Sequence, residues 1–299
     1  MPDKLPLHAL PEHNLFGLED QSYDNARVVV LPVPYDSTVT YKAGTREGPD
    51  AIISASRNIE LYSYEIGGDP SKLGIYTLPS MAPDLSSPEK MVANIKREVG
   101  ILLDDGKLPL MLGGEHTITL GALQALKEKK QDVSIIHFDA HSDTRDELFG
   151  ARYMHATVMS RATELFHEVF QVGLRSIDAD YAKKMDRKKT LLMDDVQEMG
   201  TDEVIRKINS STGESVYLTF DFDVLDPSEM PSVGTPEPNG MRFAEVVKLM
   251  KGIGKEKILV GADFVELCPI PYMHAPDFLA AKLIYLTLGS FLLKGGANE

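Results

Sequence analysis

The sequence predicts a three-layer α/β/α protein with helices on both faces of a mostly parallel central sheet. Two observations carry this expectation. Short apolar runs rich in branched residues alternate with longer amphipathic stretches along the whole chain, a pattern that implies βαβ units. Clusters of polar residues also follow directly after several of the runs, where open parallel sheets gather their ligands.

Val28–Val33 holds four valines and reads as a buried strand. Pro88–Asp104 places Met91, Ile95, Val99 and Leu102 on one helical face, behind a Ser-Pro start that suits a helix N-terminus. Leu108–Leu112 is a strand that ends in Gly113-Gly114, and Thr119–Lys129 is the helix after it. Val133–Phe138, Glu168–Val172 and Thr190–Met193 are further strands, each a brief apolar run without helical periodicity. Asp202–Ser210 is amphipathic, and Val216–Phe220 is apolar with β-branched and aromatic residues, a strand. Arg242–Gly252 reads as a helix, Ile258–Val260 as a strand, and Pro276–Leu293 as a long apolar helix. No linker or internal repeat divides the 299 residues, so a single domain 1–299 is expected, with 1–25 as an N-terminal extension.

A net charge of −14 disfavours nucleic acid, which calls for a basic face, and suits a small cationic substrate. One cysteine, Cys268, excludes an internal disulfide and fits a reducing compartment. Residues 1–14 carry charges and prolines instead of an apolar signal core, and runs such as Val28–Val33 fall far short of the roughly 20 residues of a membrane span. A cytoplasmic protein that neither crosses nor binds a membrane is expected.

The chemistry concentrates in Asp139-Ala140-His141-Ser142-Asp143 and Asp221-Phe222-Asp223, each directly after a strand. Residues two apart on an extended backbone share a face, so Asp139, His141 and Asp143 converge, as do Asp221 and Asp223. Carboxylates crowded in this way repel one another unless a cation joins them. His116, in Gly113-Gly114-Glu115-His116, adds an imidazole from another strand end. Two His and four Asp exceed the needs of one ion and suit two. Mixed oxygen and nitrogen donors without clustered cysteines favour Mn²⁺, with Fe²⁺, Co²⁺ or Zn²⁺ as alternatives, and two such ions imply hydrolysis. His137, inside an apolar strand, reads as a core histidine.

These motifs resemble the ureohydrolases, the arginase and agmatinase family of dinuclear manganese enzymes. Pro32-Val33-Pro34-Tyr35-Asp36 and Ala43-Gly44-Thr45-Arg46-Glu47-Gly48-Pro49 look like its N-terminal signature, followed in order by Gly113–His116, Phe138–Asp143 and Asp221–Pro227. The resemblance implies the arginase-like fold and two Mn²⁺, with His116, Asp139, Asp143 and Asp223 around one ion and Asp139, His141, Asp221 and Asp223 around the other. It implies that Asp143 also orients the attacking hydroxide, that His155 sits near the substrate and shuttles protons, and that Glu266 pairs with the substrate guanidinium. It further implies a homo-oligomer, a trimer or hexamer.

The substrate would then be a small cationic guanidino compound, cleaved to urea and a primary amine. The segment Thr144–Arg152 and Gly173-Leu174-Arg175-Ser176 depart from the arginase pattern and look like the agmatinase branch, so agmatine leads, with putrescine as its product in polyamine biosynthesis. Aminopropylagmatine, guanidinobutyrate and arginine are the alternatives, and a noncatalytic metal-binding relative is another. Asp146 and Glu147 could meet a distal ammonium, or pair with Arg145 and Arg152.

Overall fold

The computed structural model describes residues 12–129 and 132–293. Eight strands, β1 (Val28–Val33), β2 (Ile75–Thr77), β3 (Leu108–Gly113), β4 (Ser134–Phe138), β5 (Val169–Leu174), β6 (Thr190–Leu192), β7 (Ser215–Asp221) and β8 (Ile258–Val265), form one sheet in the order β2-β1-β3-β8-β7-β4-β5-β6. Every pairing is parallel. Where the sequence predicted a mostly parallel sheet, the described sheet is wholly so. The helices are α1 (Gly48–Ser56), α2 (Pro88–Asp104), α3 (Thr119–Glu128), α4 (Val158–Leu165), α5 (Ala179–Lys184), α6 (Met193–Met199), α7 (Thr201–Ser211), α8 (Phe243–Glu256) and α9 (Ala275–Leu292).

Two apolar layers clamp the sheet. Met91, Ile95 and Val99 of α2 pack with Leu123 of α3, Met159 of α4, and Leu31, Met111 and Ile135 of the sheet. On the other face α1 and α6 to α9 cover Val30, Leu110, Phe138 and Phe220. Among the described residues α9 is the one helix long and apolar enough to span a bilayer, but 72% of it is buried inside the protein. It is a core helix, packed between α1 and α8. Leu15 and Phe16 are buried too, and Phe16 meets Tyr285 of α9 edge-on at 4.7 Å. The earlier part of the expected extension, with His8, lies outside the described residues.

Several elements escape the sequence pattern. β2 is an edge strand of three residues, too short to show a period, and α4, α5 and α6 have only six to eight residues each. β8 runs five residues beyond the predicted Val260, through Gly261 and Asp263. A buried acid reads as the end of an apolar run, yet here the hydroxyls of Tyr217 and Thr219 donate to Asp263 at 2.7 and 2.6 Å.

The register prepares the site. Leu112, Phe264, Phe220, Phe138 and Val172 pair across five neighbouring strands, and the three phenylalanine rings stack 5.6 to 5.7 Å apart on the α8 and α9 side. One residue further on, alternation turns Asp139, Asp221 and Val265 to the opposite face, side by side.

Candidate metal centre

Four strands that are consecutive in the sheet, β3, β8, β7 and β4, deliver the sequence-predicted residues from their carboxyl ends. After β3 the chain is zipped to the end of β1: Gly114 N–H donates to Val33 O (3.0 Å) and Glu115 N–H to Tyr35 O (2.8 Å). A Cβ at Gly114 would lie 1.9 Å from Tyr35 O, so only glycine allows this approach. The short 3-10 turn His116–Ile118 follows and carries His116. Asp36, buried at the end of the first signature segment, accepts from Gly44 N–H (2.8 Å) and Arg46 and so shapes the second.

His116 is fully buried. Its Nε2 is 2.9 Å from Thr219 Oγ1, whose own hydroxyl donates to Asp263 Oδ1. Thr219 therefore accepts from Nε2–H, and the lone pair is left on Nδ1. That nitrogen has no hydrogen-bond partner among the described residues, and faces Asp139 Oδ2 at 3.2 Å and Asp143 Oδ2 and Asp221 Oδ2 at 3.3 Å. A lone pair aimed at three carboxylate oxygens is repulsive unless a cation lies between them. The electrostatics agree. Burial opposes a charge on His116, but the three carboxylates override it and raise its pKa well above the ordinary value. Burial, then Asp223 and Asp139, hold the Asp221 carboxyl well above the carboxylate range. The residues present fit a divalent ion.

A second group adjoins the first. His141 Nδ1 lies 2.8 Å from Asp223 Oδ2 and 3.5 Å from Asp139 Oδ1. Asp139 thus faces the two imidazoles through opposite oxygens, as a bridging carboxylate would. The grouping differs from the one expected: Asp221, not Asp223, stands beside His116. Asp221 ends β7 on the same face as Asp139, whereas Asp223 lies on the turn Phe222–Val224. There Asp223 N–H donates to Asp221 Oδ1 (2.8 Å) and its carboxylate accepts from Ala140 N–H (3.0 Å), which directs it toward His141.

A cavity of about 270 Å³ opens onto this cluster, lined by His141, Asp143, His155, Thr235, Arg145 and Asp178, among others. His155 Nε2 is buried with no hydrogen-bond partner among the described residues. Its backbone N–H donates to Thr38 Oγ1 (3.3 Å), and Thr38 is held in turn by the fully buried Glu115, which accepts from its N–H and hydroxyl at 2.6 Å each. Glu266 follows β8, and its Oε1 accepts from His116 N–H at 2.6 Å. Burial raises its carboxyl well above the usual value. Asp143 (φ 50°) and Glu266 (φ 68°) both adopt the left-handed backbone region, at a cost of about 1–3 kcal/mol each, and strain of this kind concentrates at functional sites.

The sequence gives no role to Glu115, Thr219 and Asp263, which hold the candidate residues from behind. The available signal was a polar residue inside an apolar strand or beside a motif, which needs a partner when buried. Nor does the sequence assign one to Arg175, whose guanidinium donates to the carbonyls of Asp223 (2.7 Å), Glu237 (2.9 Å) and Pro238 (2.9 Å) and staples two loops of the site. His137 is fully buried, as read, but it also contacts Asp139. In the segment after Asp143, Asp146 pairs with Arg152 (3.0 Å) and Arg161, and Glu147 is exposed. Of the acids nearby, Asp178 lines the cavity and Asp146 does not.

The arginase family model matches residues 26–289. The chain is 38% identical to N(1)-aminopropylagmatine ureohydrolase of Thermus thermophilus, covering 94% of this chain and 96% of that protein. It is 32% identical to the agmatinase of Bacillus subtilis, covering 90% and 93%. The solved agmatine ureohydrolase of Thermoplasma volcanium superposes with a TM-score of 0.85 at 33% identity, covering 95% of each chain. With the all-parallel sheet and the clustered donors at its strand ends, these likenesses identify the chain as a ureohydrolase of the arginase family.

Proposed function

We propose that this protein hydrolyses the guanidino group of N1-aminopropylagmatine, releasing urea and the corresponding triamine. The observation that carries a metal-dependent hydrolysis is the His116 lone pair facing three carboxylates, beside a second histidine and carboxylate group that shares Asp139. The tail is argued from two further facts. Relatives at 38% and 34% identity bear the name N(1)-aminopropylagmatine ureohydrolase. Asp178 is among the residues that line the cavity, on a chain of net charge −14. Agmatine, with a shorter tail, is the second reading, favoured by the Bacillus subtilis agmatinase and the Thermoplasma volcanium structure.

His116, Asp139, Asp143 and Asp221 would hold one divalent ion, and Asp139, His141 and Asp223 the other. Two Mn²⁺ suit these donors best, and Fe²⁺, Co²⁺ or Zn²⁺ could replace them. When bound, such a pair supplies Lewis acidity and a water acidic enough to attack at neutral pH. Asp143 would accept a hydrogen bond from the attacking water and orient it. Glu266 accepts guanidinium N–H bonds and presents the planar carbon to the attack. As the new C–O bond forms and the C–N bond to the tail breaks, His155 passes a proton to the departing amine nitrogen. Water gives up two protons as its oxygen becomes the carbonyl of urea, and both end on the departing nitrogen, which leaves as the ammonium.

Urea release from N1-aminopropylagmatine, agmatine, arginine and guanidinobutyrate, compared side by side with Mn²⁺-loaded protein, tests the reading. Aminopropylagmatine should give the highest kcat/KM. A preference for arginine would overturn the tail assignment, and no urea from any of the four would overturn the enzyme. A cytoplasmic homo-oligomer, trimeric or hexameric, completes the proposal, and light scattering that found only monomer would remove the oligomer.

A further inference from the structure

A third imidazole lies against the candidate metal centre: His137, His116 and Asp139 place donor atoms within 4.8 Å of one another. By proximity His137 could be another metal ligand. Its hydrogen bonds say otherwise. The Nε2 atom of Gln171 is 2.9 Å from the carbonyl oxygen of Ser142 and 2.9 Å from His137 Nδ1. A carbonyl oxygen can only accept, so the NH₂ end of the amide must face Ser142, and its second N–H points at His137 Nδ1. The amide oxygen correspondingly accepts from the Tyr181 hydroxyl. His137 Nδ1 is therefore an acceptor, and the ring proton sits on Nε2, 2.8 Å from Asp139 Oδ2. Both ring nitrogens are engaged, and no lone pair remains for an ion.

We propose that the chain Tyr181–Gln171–His137 positions the Asp139 carboxylate, and that His137 is a hydrogen-bond donor to it and not a metal ligand. The inference rests on the reading of Asp139 as the shared ligand of two ions. Asp139 Oδ2 is held by His137 Nε2–H, and Oδ1 by the backbone N–H of His141 at 2.5 Å. A donor on each oxygen fixes the carboxylate plane, and each oxygen keeps a lone pair toward its own imidazole. Gln171 is the hub, because the same NH₂ group also pins Ser142, between His141 and Asp143. The chain begins at Tyr181 in α5, whose N-terminal cap is Asp178 of the cavity wall, accepting from Asp180 N–H (3.0 Å) and Tyr181 N–H (2.9 Å). Cavity wall, ligand loop and shared carboxylate are thereby one hydrogen-bonded unit.

Metal titration of the purified full chain, followed by calorimetry and elemental analysis with Mn²⁺ as the probe, separates the alternatives. Wild type should take up two ions. His137→Phe should still take up two, with affinity lowered about 10- to 100-fold, the usual effect of losing a partner of a metal ligand. Gln171→Glu removes no conceivable ligand yet cannot donate to His137 or Ser142, and it should lower affinity similarly. Nitrogen-15 NMR of histidine-labelled, Zn²⁺-loaded wild type should show His137 as the Nε2–H tautomer, altered in Gln171→Glu. One ion in His137→Phe would make His137 a ligand and overturn the proposal. So would wild-type affinity in Gln171→Glu. A wild type that binds no divalent ion would refute the metal reading itself and bring this inference down with it.

Discussion

Replacing Glu266 by Gln isolates the charge that is to hold the guanidinium. The swap is nearly isosteric, and it keeps an oxygen for the His116 N–H that Glu266 Oε1 now accepts at 2.6 Å, so His116 should stay in place. The left-handed backbone at φ 68° is no worse for Gln than for Glu. What changes is the other end of the side chain. A carboxylate oxygen becomes an NH₂ group, a donor facing a guanidinium that can only donate. A hydrogen bond to a charged group is worth about 1.5–3 kcal/mol, and a buried unmatched donor costs about 1–3 kcal/mol more. Glu266 is 8% exposed, so water compensates little. A net loss of about 3–4 kcal/mol corresponds to about a 100- to 1,000-fold fall in kcat/KM. The assay is initial-rate urea release, with bound metal counted in the same samples. If kcat/KM stays within about threefold of wild type while both ions remain, Glu266 does not hold the guanidinium charge.

Four further outcomes are expected. His155→Ala should cut kcat by about 10²- to 10⁴-fold with metal content unchanged, and near-wild-type turnover would remove His155 from proton transfer. Asp146→Ala should leave the ratio of rates on aminopropylagmatine and agmatine within about twofold, because Asp146 is engaged by Arg152 and Arg161; a larger shift would place it on the substrate tail. Chelated protein should lose stability as pH rises above about 6.5, the unfolded imidazole value, because the carboxylates raise His116 and His141, and a folded state that binds more protons is weakened when they leave. Urea melts at pH 6 and 8.5 should show that fall without metal and not with Mn²⁺, and a chelated protein equally stable at both would contradict the site electrostatics. Gly114→Ala, with a Cβ 1.9 Å from Tyr35 O, should abolish metal binding or soluble expression, and wild-type behaviour of both would mean that the loop can shift freely.

Much of this protein is readable from its residues in order. Alternating apolar runs and amphipathic stretches depend only on local periodicity, and they predict the parallel sheet and the ends where polar groups gather. The period of two that groups Asp139, His141 and Asp143 is only part of the account, because β4 ends at Phe138 and Asp143 reaches His116 through a left-handed backbone (φ 50°) that spacing does not show. Short elements such as β2 and α5 were not readable, because three to six residues carry no periodic signal. β8 extends beyond the predicted Val260 because a buried acid looks like the end of a strand until its hydroxyl partners, on β7, are known.

Fold class, donor types and their places at strand ends follow from neighbours along the chain. Which carboxylate meets which imidazole, and which nitrogen of His116 and of His137 carries the proton, depend on contacts between strands far apart in sequence. Those outcomes rest on Thr219, Asp263, Gln171 and Ser142, brought beside the histidines by the order β3-β8-β7-β4-β5. The physical reason is that hydrogen-bond polarity in a buried network is set by the last partner able only to accept. Here those partners are the Asp263 carboxylate and the Ser142 carbonyl, and each is a neighbour in space and not along the chain.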